Sequence, residues 1–309
     1  MTTRVVVVGT GSMGERHARV FAATPGAVLA GVYDVDPARA QSVAARWGAS
    51  AFLSLDAAIE RADLVVLATP SELHEAQARH AILRRRHVLV EKPMCSTGAR
   101  ARELCELAAD AGVHLLVGHS ERFNPVVRAL FAATQGDPAL RIETRRHGTA
   151  RPSREEICLN LAVHDVDLAA VLFRDDVELA HASGRSDRAE LFVRTGDGRE
   201  ARVEVSHGSR RARTLCVQTA RFVYEGDLLA CSLTRADAEG RSASMDRDAA
   251  FFYTYTPVRV DATRTGAIEL AESMAGESEY KREVIQRILI VTVVTLSVFL
   301  FLVAALGIW

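Results

Sequence analysis

Hydrophobic residues near the N-terminus stand in short continuous runs. Residues 5–8 are four valines, residues 64–68 are wholly apolar, and residues 87–90 end in three more apolar side chains. Such runs predict strands buried on both faces of a parallel sheet. Between them, helical spacing of apolar residues predicts helices over 37–47, 71–83 and 97–111. The alternation predicts a doubly wound, parallel α/β domain of the Rossmann type.

The pattern changes after residue 121. A helix is predicted to begin near Asn124, and a second is predicted over 155–173. Strands are predicted over 140–147, 177–182, 190–194, 201–206, 214–219, 221–224 and 227–233. Many strands with one crossing helix predict an α+β domain with an open, mostly antiparallel sheet.

Domain boundaries follow from these changes of pattern. We expect an α/β domain over 1–121, an α+β domain over 122–256 and a stem over 257–287. Residues from about 234 onwards are expected to be poorly structured, apart from a last strand over 251–255.

The C-terminal residues 288–309 contain no charged side chain, and Lys281, Arg282 and Arg287 precede them. A helix of this length spans about 33 Å, against roughly 30 Å of hydrocarbon. We therefore expect a single-pass membrane helix in contact with the lipid bilayer of the cell membrane, with the body of the protein in the cytoplasm. The alternative is a buried helix or strand.

Composition narrows the function classes. The formal net charge of −1 gives no broad basic surface for nucleic acid. The five cysteines have no paired spacing, which argues against a zinc site and a disulfide scaffold. Lys92 and Lys281 are the only lysines among 38 basic residues, so a lysine here suggests chemistry that arginine cannot supply.

Three glycines follow the first strand with the spacing G-x-G-x-x-G. Gly9 permits a tight turn, Gly11 lets the backbone approach a pyrophosphate, and Gly14 lets the next helix pack closely. Ser12 and Met13 lie where that helix begins, and its N-terminus favours phosphates. Strand, turn and helix together predict a dinucleotide site.

Asp34 ends the second predicted strand, twenty residues after Gly14. An acidic side chain there accepts hydrogen bonds from ribose hydroxyls. Because it also repels a 2′-phosphate, we expect NAD rather than NADP. The alternative is a turn residue or the cap of the helix that starts near Pro37, a role that suits Asp36 better.

Ligands bind at the carboxyl ends of the strands in such sheets. This places Gly9–Gly14, Asp34, Thr69-Pro70, Glu91–Pro93 and Gly118-His119 around one crevice. Along the chain, the motifs are Gly9–Gly14, Ala68-Thr69-Pro70 with His74, Glu91-Lys92-Pro93, Gly118-His119 with Arg122-Phe123-Asn124-Pro125, and His164-Asp165-Val166-Asp167-Leu168. With this order and spacing, residues 4–233 resemble the glucose–fructose oxidoreductase and inositol dehydrogenase (Gfo/Idh/MocA) family. Within it, they are most similar to the UDP-N-acetylglucosamine 3-dehydrogenase-like members.

The resemblance implies oxidation of a sugar or cyclitol secondary hydroxyl, with hydride passing to NAD. It suggests a nucleotide-activated substrate such as a UDP-sugar. Lys92 matches the lysine that stabilises charge on the reacting oxygen, and a cation suits that role; the alternative is a surface lysine. The resemblance also places Thr69, Pro70, His74 and Glu91 beside the cofactor, and suggests a cis Lys92–Pro93 bond.

His164 matches the family's general acid/base, and imidazole titrates near neutral pH. The alternative is a buried histidine without a catalytic role. The family usually has an aspartate four residues earlier, where this chain has Asn160. Asn160 shares a helix face with His164 and can orient it, but it lacks the charge that stabilises imidazolium. Asp165 is a candidate for partial compensation.

His119, Arg122 and Asn124 are expected to contact substrate or to position the joint between the domains. The planar fork of Arg122 suits a diphosphate. Arg145, Arg146 and Arg151 form a second basic cluster, for which a solvated or salt-bridged face is an equal alternative.

Two functions remain open. The leading hypothesis is an NAD-dependent sugar dehydrogenase at the membrane, with a free-polyol dehydrogenase as a variant. The rival is a catalytically weak or inactive dinucleotide-binding protein at the membrane. Asn160 favours it, and so does the predicted membrane helix, because members of the family usually continue as a soluble segment there. The resemblance also suggests that the open sheet is a homo-oligomer face, and no residue pattern bears on this.

Overall fold

The computed structural model describes residues 2–148, 157–185, 187–208, 210–237 and 242–245. The described residues form two compact units that divide between Gly118 and His119. The expected stem over 257–287, the strand over 251–255, the membrane helix over 288–309 and Arg151 lie outside the described residues.

The first unit is built on a parallel sheet. Its strands are β1 (Thr3–Val8), β2 (Ala27–Tyr33), β3 (Ser50–Ala51), β4 (Leu64–Leu67), β5 (His87–Val90) and β6 (Leu115–Val117). Its helices are α1 (Ser12–Ala23), α2 (Pro37–Trp47), α3 (Leu55–Arg61), α4 (His74–Leu83) and α5 (Gly98–Ala111). The strand order β3-β2-β1-β4-β5-β6 is that of a dinucleotide-binding fold, so this part of the fold prediction is confirmed.

Local sequence signals explain these elements. The four valines of β1 are fully buried, as expected for a central strand between two helical layers. Asp36 caps α2 by accepting hydrogen bonds from the amides of Ala38 and Arg39, and Pro37 occupies the first helical position. Gly48 ends the helix in the left-handed conformation.

The second unit contains a mixed sheet and two α-helices. Its strands are β7 (Arg141–Gly148), β8 (Glu178–Arg185), β9 (Arg188–Arg194), β10 (Glu200–His207), β11 (Ala212–Gln218), β12 (Phe222–Asp227), β13 (Ser232–Asp237) and β14 (Ser242–Met245). The helices are α6 (Pro125–Ala133) and α7 (Val163–Phe173). Strand order is β14-β13-β12-β11-β7-β10-β9-β8, and β7–β10 is the parallel pair among antiparallel ones.

One face of this sheet packs against α6 and α7. Ile142 and Val217 of the sheet are fully buried beside Leu130 and Leu168 of the helices. Side chains alternate across each strand, so the odd-numbered residues of β7 point to the other face. The helix-covered face of β7 therefore includes Arg146, four residues after Ile142.

Two element predictions in this unit are wrong. Residues 227–233 do not form one strand, because Asp227 Oδ1 accepts hydrogen bonds from the amides of Leu229 and Ala230 and closes a turn. The chain also remains ordered past residue 234, where β13 and β14 extend the sheet.

The predicted helix over 155–173 has two parts in the described residues. A π-helical segment, Cys158–Ala162, precedes α7. Among the helices that the structure describes, none has the length and apolar character needed to cross a membrane.

Candidate functional site

The glycine turn between β1 and α1 is held tightly on one side and open on the other. Gly9 has a φ of +86°, and a β-carbon there would lie 2.7 Å from the carbonyl oxygen of Ala68. A β-carbon on Gly14 would lie 1.7 Å from the carbonyl oxygen of Gly9. At Gly11, by contrast, a β-carbon would meet no described protein atom within 4 Å. Protein packing therefore explains Gly9 and Gly14, and Gly11 leaves room for a ligand.

This turn lies at the topological switch point of the sheet. β1 pairs with β2 on one side and with β4 on the other, so the loops after β1 and β4 diverge there. The first amides of α1 have no partner within the helix and carry the positive end of its dipole. Ser12 and Met13 supply two of these amides, and both residues are exposed. These features fit a dinucleotide pyrophosphate.

Asp34 is bound to the glycine turn itself. Its Oδ2 accepts hydrogen bonds from the amide (2.7 Å) and the hydroxyl (2.8 Å) of Thr10, and its Oδ1 accepts one from the amide of Asp36 (2.9 Å). Burial alone would raise the pKa of Asp34, but these hydrogen bonds outweigh it and lower the pKa. The ionised carboxylate keeps acceptor capacity on Oδ1 for a ribose hydroxyl.

The Lys92 loop follows β5, and the Lys92–Pro93 peptide bond is cis. The Glu91 amide donates to the carbonyl of Leu67 at 2.9 Å, which continues the β4–β5 pairing into the loop. The carboxylate of Glu91 accepts a hydrogen bond from Nε2 of His17 at 2.8 Å. Glu91, predicted to contact the cofactor, is thus directed towards α1.

His74 is 1% exposed, at the start of α4. Its Nδ1 lies 2.8 Å from the carbonyl oxygen of Pro93, and its Nε2 lies 2.8 Å from that of Thr69. Thr69 also donates a hydrogen bond through its hydroxyl to Gln77 at 2.6 Å. The role of His74 beside the cofactor stays a prediction; the observed contacts make it a link between the two loops.

A buried charge network occupies the second unit. We call it the Arg146 network, formed by Arg146, Asp165, Glu121 and Arg213. Arg146 donates to both oxygens of Asp165, at 2.6 and 3.2 Å, and to Glu121 at 3.1 Å. The side chains of Arg146 and Asp165 are 2% and 1% exposed. Two cations and two carboxylates balance, which is the condition for burying such charges.

The network gives Arg146 and Asp165 roles that the sequence did not predict. Arg146 belongs to no solvated basic cluster, because its strand position directs it to the helix-covered face. Burial raises the pKa of Asp165, and the opposing attraction of Arg146 does not cancel this effect. Since the carboxylate of Asp165 binds Arg146, it is not available to compensate for Asn160.

Arg122 and Asn124 are both engaged within the unit. Arg122 forms a two-pronged contact with Asp167, Nε to Oδ2 at 2.8 Å and Nη2 to Oδ1 at 2.5 Å. His119 Nδ1 lies 3.7 Å from the same carboxylate. Asn124 accepts from the amide of Val126 as the cap of α6 and donates to the carbonyl of Leu228. Substrate contacts by these residues stay predictions, alongside these structural contacts.

His164 stands in the first turn of α7, and Asn160 stands in the π-helical segment just before it. Both side chains are partly buried. The neighbouring turn is fixed on two sides, because Asp165 binds Arg146 and Asp167 binds Arg122. Single-turn π segments within helices are frequent at functional sites. The catalytic roles of His164, Asn160 and Lys92 stay predictions.

Sequence reasoning missed several residues that shape these loops, chiefly Thr10, His17 and Glu121. Thr10 lies inside the glycine motif, where a hydroxyl next to a predicted ribose-binding acid was a usable signal. His17 is buried on α1, and a buried imidazole requires a polar partner, which was a usable signal. Glu121 had no signal, since its partners come from distant strands.

Comparison with known proteins agrees with this architecture. Residues 3–119 match the family model Gfo/Idh/MocA, described as an oxidoreductase family with an NAD-binding Rossmann fold. The chain is 31% identical over 211 residues to the UDP-N-acetylglucosamine 3-dehydrogenase of Acidithiobacillus ferrooxidans, covering 66% of each chain. It is 32% identical over 236 residues to inositol 2-dehydrogenase 1 of Mycolicibacterium vanbaalenii, covering 65% of this chain and 69% of that one.

A solved structure supports the same relationship. The structure of UDP-N-acetylglucosamine 3-dehydrogenase GnnA from Acidithiobacillus ferrooxidans matches with a TM-score of 0.75 and 27% identity, covering 81% of this chain and 84% of that one. The similarity thus extends through both units, beyond the segment that the family model covers. The chain belongs to the Gfo/Idh/MocA oxidoreductase family.

Proposed function

We propose that this protein is an NAD-dependent dehydrogenase of a sugar or cyclitol secondary hydroxyl, and that its substrate is a nucleotide-activated sugar such as a UDP-sugar. The observation that supports it most is the glycine turn at the switch point, with Asp34 bound to it and Lys92 on the loop after β5, at the same edge of the sheet. The similarity to a UDP-N-acetylglucosamine 3-dehydrogenase supports the substrate class.

In this proposal the first unit binds the dinucleotide. Gly9, Gly11 and Gly14 shape the turn around the pyrophosphate, the amides of α1 bind phosphate oxygens, and Asp34 binds a ribose hydroxyl. The negative charge of Asp34 disfavours a 2′-phosphate, which is the reason for NAD over NADP. The bound nicotinamide supplies the hydride acceptor.

The acid–base chemistry belongs to two residues of this chain. Lys92 stabilises the negative charge that develops on the substrate oxygen as its proton leaves. His164 accepts that proton through its imidazole, and Asn160 orients the ring without adding a charge. Asn160 carries no charge to neutralise the imidazolium, so we expect slower proton transfer than with a carboxylate at this position.

Turnover assays test this function. NADH absorbance is followed with the full chain in detergent against a panel of UDP-sugars, free sugars and cyclitols. We expect turnover on a UDP-sugar that Lys92→Ala abolishes while NAD binding persists, and that Lys281→Ala, the matched lysine control, leaves unchanged. Turnover on cyclitols alone would favour the inositol-type activity named for one relative.

A second candidate follows from Asn160, which replaces the expected carboxylate. The protein would then be a weak or inactive enzyme that binds the dinucleotide at a membrane. NAD binding without turnover on any member of the panel would establish this candidate and reject the dehydrogenase.

We also propose that residues 288–309 anchor the protein in the cell membrane with the body in the cytoplasm, from the absence of charge in this segment and the basic residues before it. Cutting the chain after Arg287 is expected to release the body from membranes. Retention of the truncated protein in the membrane fraction would contradict the anchor.

A further inference from the structure

Lys92 has a buried histidine on each side of it. His17 donates from Nε2 to the carboxylate of Glu91 at 2.8 Å, and Nδ1 of His74 lies 2.8 Å from the carbonyl oxygen of Pro93. Both histidines are 1% exposed. The residues directly before and after Lys92 are therefore each held by an imidazole from a different helix.

The Glu91 carboxylate is confined on two sides. His17 approaches from α1, and on another side a β-carbon at Gly118 would come within 3.1 Å of Oε1. The amide of Gly118 donates to the carbonyl of Val90 at 2.8 Å, which fixes the Gly118 backbone beside the end of β5. These contacts limit where the carboxylate can lie, and His17 supplies the hydrogen bond that holds it there.

Both histidines also belong to the elements that bind the dinucleotide. His17 lies three residues after Gly14 on α1, whose N-terminus faces the pyrophosphate in the proposed function. His74 contacts the carbonyl of Thr69 through its second ring nitrogen at 2.8 Å. Each imidazole thus joins a cofactor-binding loop to one flank of Lys92.

We propose that His17 and His74 are positioning residues for Lys92, and that the His17–Glu91 hydrogen bond couples the glycine turn to the lysine. This inference rests on the proposed function for the role of Lys92, but its structural part does not. Neither histidine touches the reacting atoms in this proposal; each acts through the Glu91-Lys92-Pro93 loop. Displacement of a catalytic group by about 1 Å lowers a rate by roughly a hundredfold, which sets the scale of the expected effect.

The scarcity of lysine allows a direct test on the full chain. Reductive methylation with ¹³C-formaldehyde labels only the N-terminal amine, Lys92 and Lys281. Lys92→Arg identifies the Lys92 resonance, and Lys281 serves as an internal reference. We expect NAD to shift the Lys92 resonance in the unaltered protein.

Two substitutions at His17 separate the hydrogen bond from packing. Leu removes the donor, whereas Gln retains an N–H donor that can reach Glu91. We expect His17→Leu to change the Lys92 resonance and weaken its response to NAD, and His17→Gln to restore both. His87→Leu is the matched control, because it removes a partly buried imidazole from the opposite end of β5.

Kinetics provide the second readout once a substrate is found. His17→Leu should lower kcat by about tenfold to a hundredfold with KM changed less than about threefold, and His17→Gln should recover at least about tenfold of that loss. A Lys92 resonance that is the same in the His17→Leu and unaltered proteins, with and without NAD, would overturn the inference. If His17→Leu does not fold, His17→Gln provides the test. The inference would be overturned if His17→Gln still binds NAD but its Lys92 resonance no longer responds to NAD.

The two proposals fail separately. No turnover on the whole panel, with a Lys92 resonance that still depends on His17, would reject the dehydrogenase and support the positioning of Lys92. If Lys92→Ala abolishes turnover but His17→Leu changes neither kcat nor the Lys92 resonance, the dehydrogenase is supported and the positioning role is rejected.

Discussion

Replacing Arg146 with methionine should destabilise the second unit far more than the same change at its neighbour Arg145. Both arginines lie on β7 and both contact a carboxylate, but they point to opposite faces of the sheet. Arg146 is 2% exposed and binds Asp165 and Glu121, whereas Arg145 is 56% exposed and binds Glu204 at 3.3 Å. Comparing the two variants tests the effect of burial on stability, because both replace an arginine with methionine.

The magnitude follows from the charge that each change leaves behind. Without Arg146, the carboxylate of Asp165 is buried and unpaired, and removing one partner of a buried ion pair costs about 3–5 kcal/mol. Without Arg145, Glu204 returns to water, and exposed pairs contribute about 0–1 kcal/mol. Adding Asp165→Asn to Arg146→Met removes the unpaired charge, so the double variant should be more stable than Arg146→Met alone.

Hydrogen exchange of backbone amides is the assay, because it reports the two units separately. Amides of β7 and β10 are compared with those of β1 and β4, which serve as the reference in the first unit. For Arg146→Met we expect a loss of about 3–5 kcal/mol in β7 and β10, or roughly two to four orders of magnitude in protection. A loss equal to that of Arg145→Met, within about 1 kcal/mol, would refute the argument from burial.

The pH dependence of the stability of Arg146→Met provides an independent test. Burial raises the pKa of Asp165 above its unfolded value of about 3.9, and loss of Arg146 removes the attraction that opposes this effect. The folded variant then binds a proton that the unfolded chain releases, so its stability falls as pH rises through the folded-state pKa. The deficit of Arg146→Met should therefore be smaller at acid pH than at neutral pH. A deficit that is the same at both would contradict this account.

Three further predictions concern the first unit and the acid–base pair. Asp34→Ala should reduce the preference for NAD over NADP by at least about tenfold in kcat/KM, or about 1.4 kcal/mol; Thr10→Val, which keeps the carboxylate, should retain the preference. Asn160→Asp should raise kcat by about tenfold or more if imidazolium is poorly stabilised; an unchanged kcat would make the carboxylate unnecessary. Partial burial lowers the pKa of both His87 and His114, so the unfolded chain binds protons first and stability should fall below about pH 6.5; His87→Gln should weaken that fall in urea titrations.

Most of the first unit was predictable because its signals are local. The four valines of β1, the cap at Asp36 and the left-handed Gly48 each specify a boundary without reference to distant residues. The α2 bounds were predicted at the residues where the structure places them. Parallel strands buried on both faces give strong continuous runs, and the helices between them are amphipathic.

The second unit was harder because its strands are half-exposed and its turns are chemically diverse. The turn after β12 depends on Asp227 and contains Cys231 with a φ of +54°, an uncommon conformation for a non-glycine residue. A buried Leu228 inside this turn continued the apolar pattern and led to the wrong strand over 227–233. The Asp227 side chain was the available signal, since aspartate readily closes turns with its own backbone.

The charge network shows what periodicity can and cannot predict. Period-two alternation from Ile142 assigns Arg146 to the covered face, so its burial was predictable once β7 was recognised. Its partners were not, because Glu121 comes from a 3₁₀ turn over Ser120–Phe123 and Asp165 comes from α7, and only the tertiary fold brings these to β7. A buried arginine in a sequence therefore indicates that carboxylates must exist nearby, without identifying them.

These partners change the interpretation of the aspartates around His164. In the sequence, Asp165 is a candidate to compensate for Asn160, which stands where the family usually has an aspartate as the partner of this histidine. In the structure Asp165 neutralises Arg146 and Asp167 neutralises Arg122, so both carboxylates help to fix the turn that holds His164. Both carboxylates are thus engaged by arginines. Position 160 is therefore where a new negative charge should matter most, and Asn160→Asp tests the chemistry with the supporting ion pairs intact.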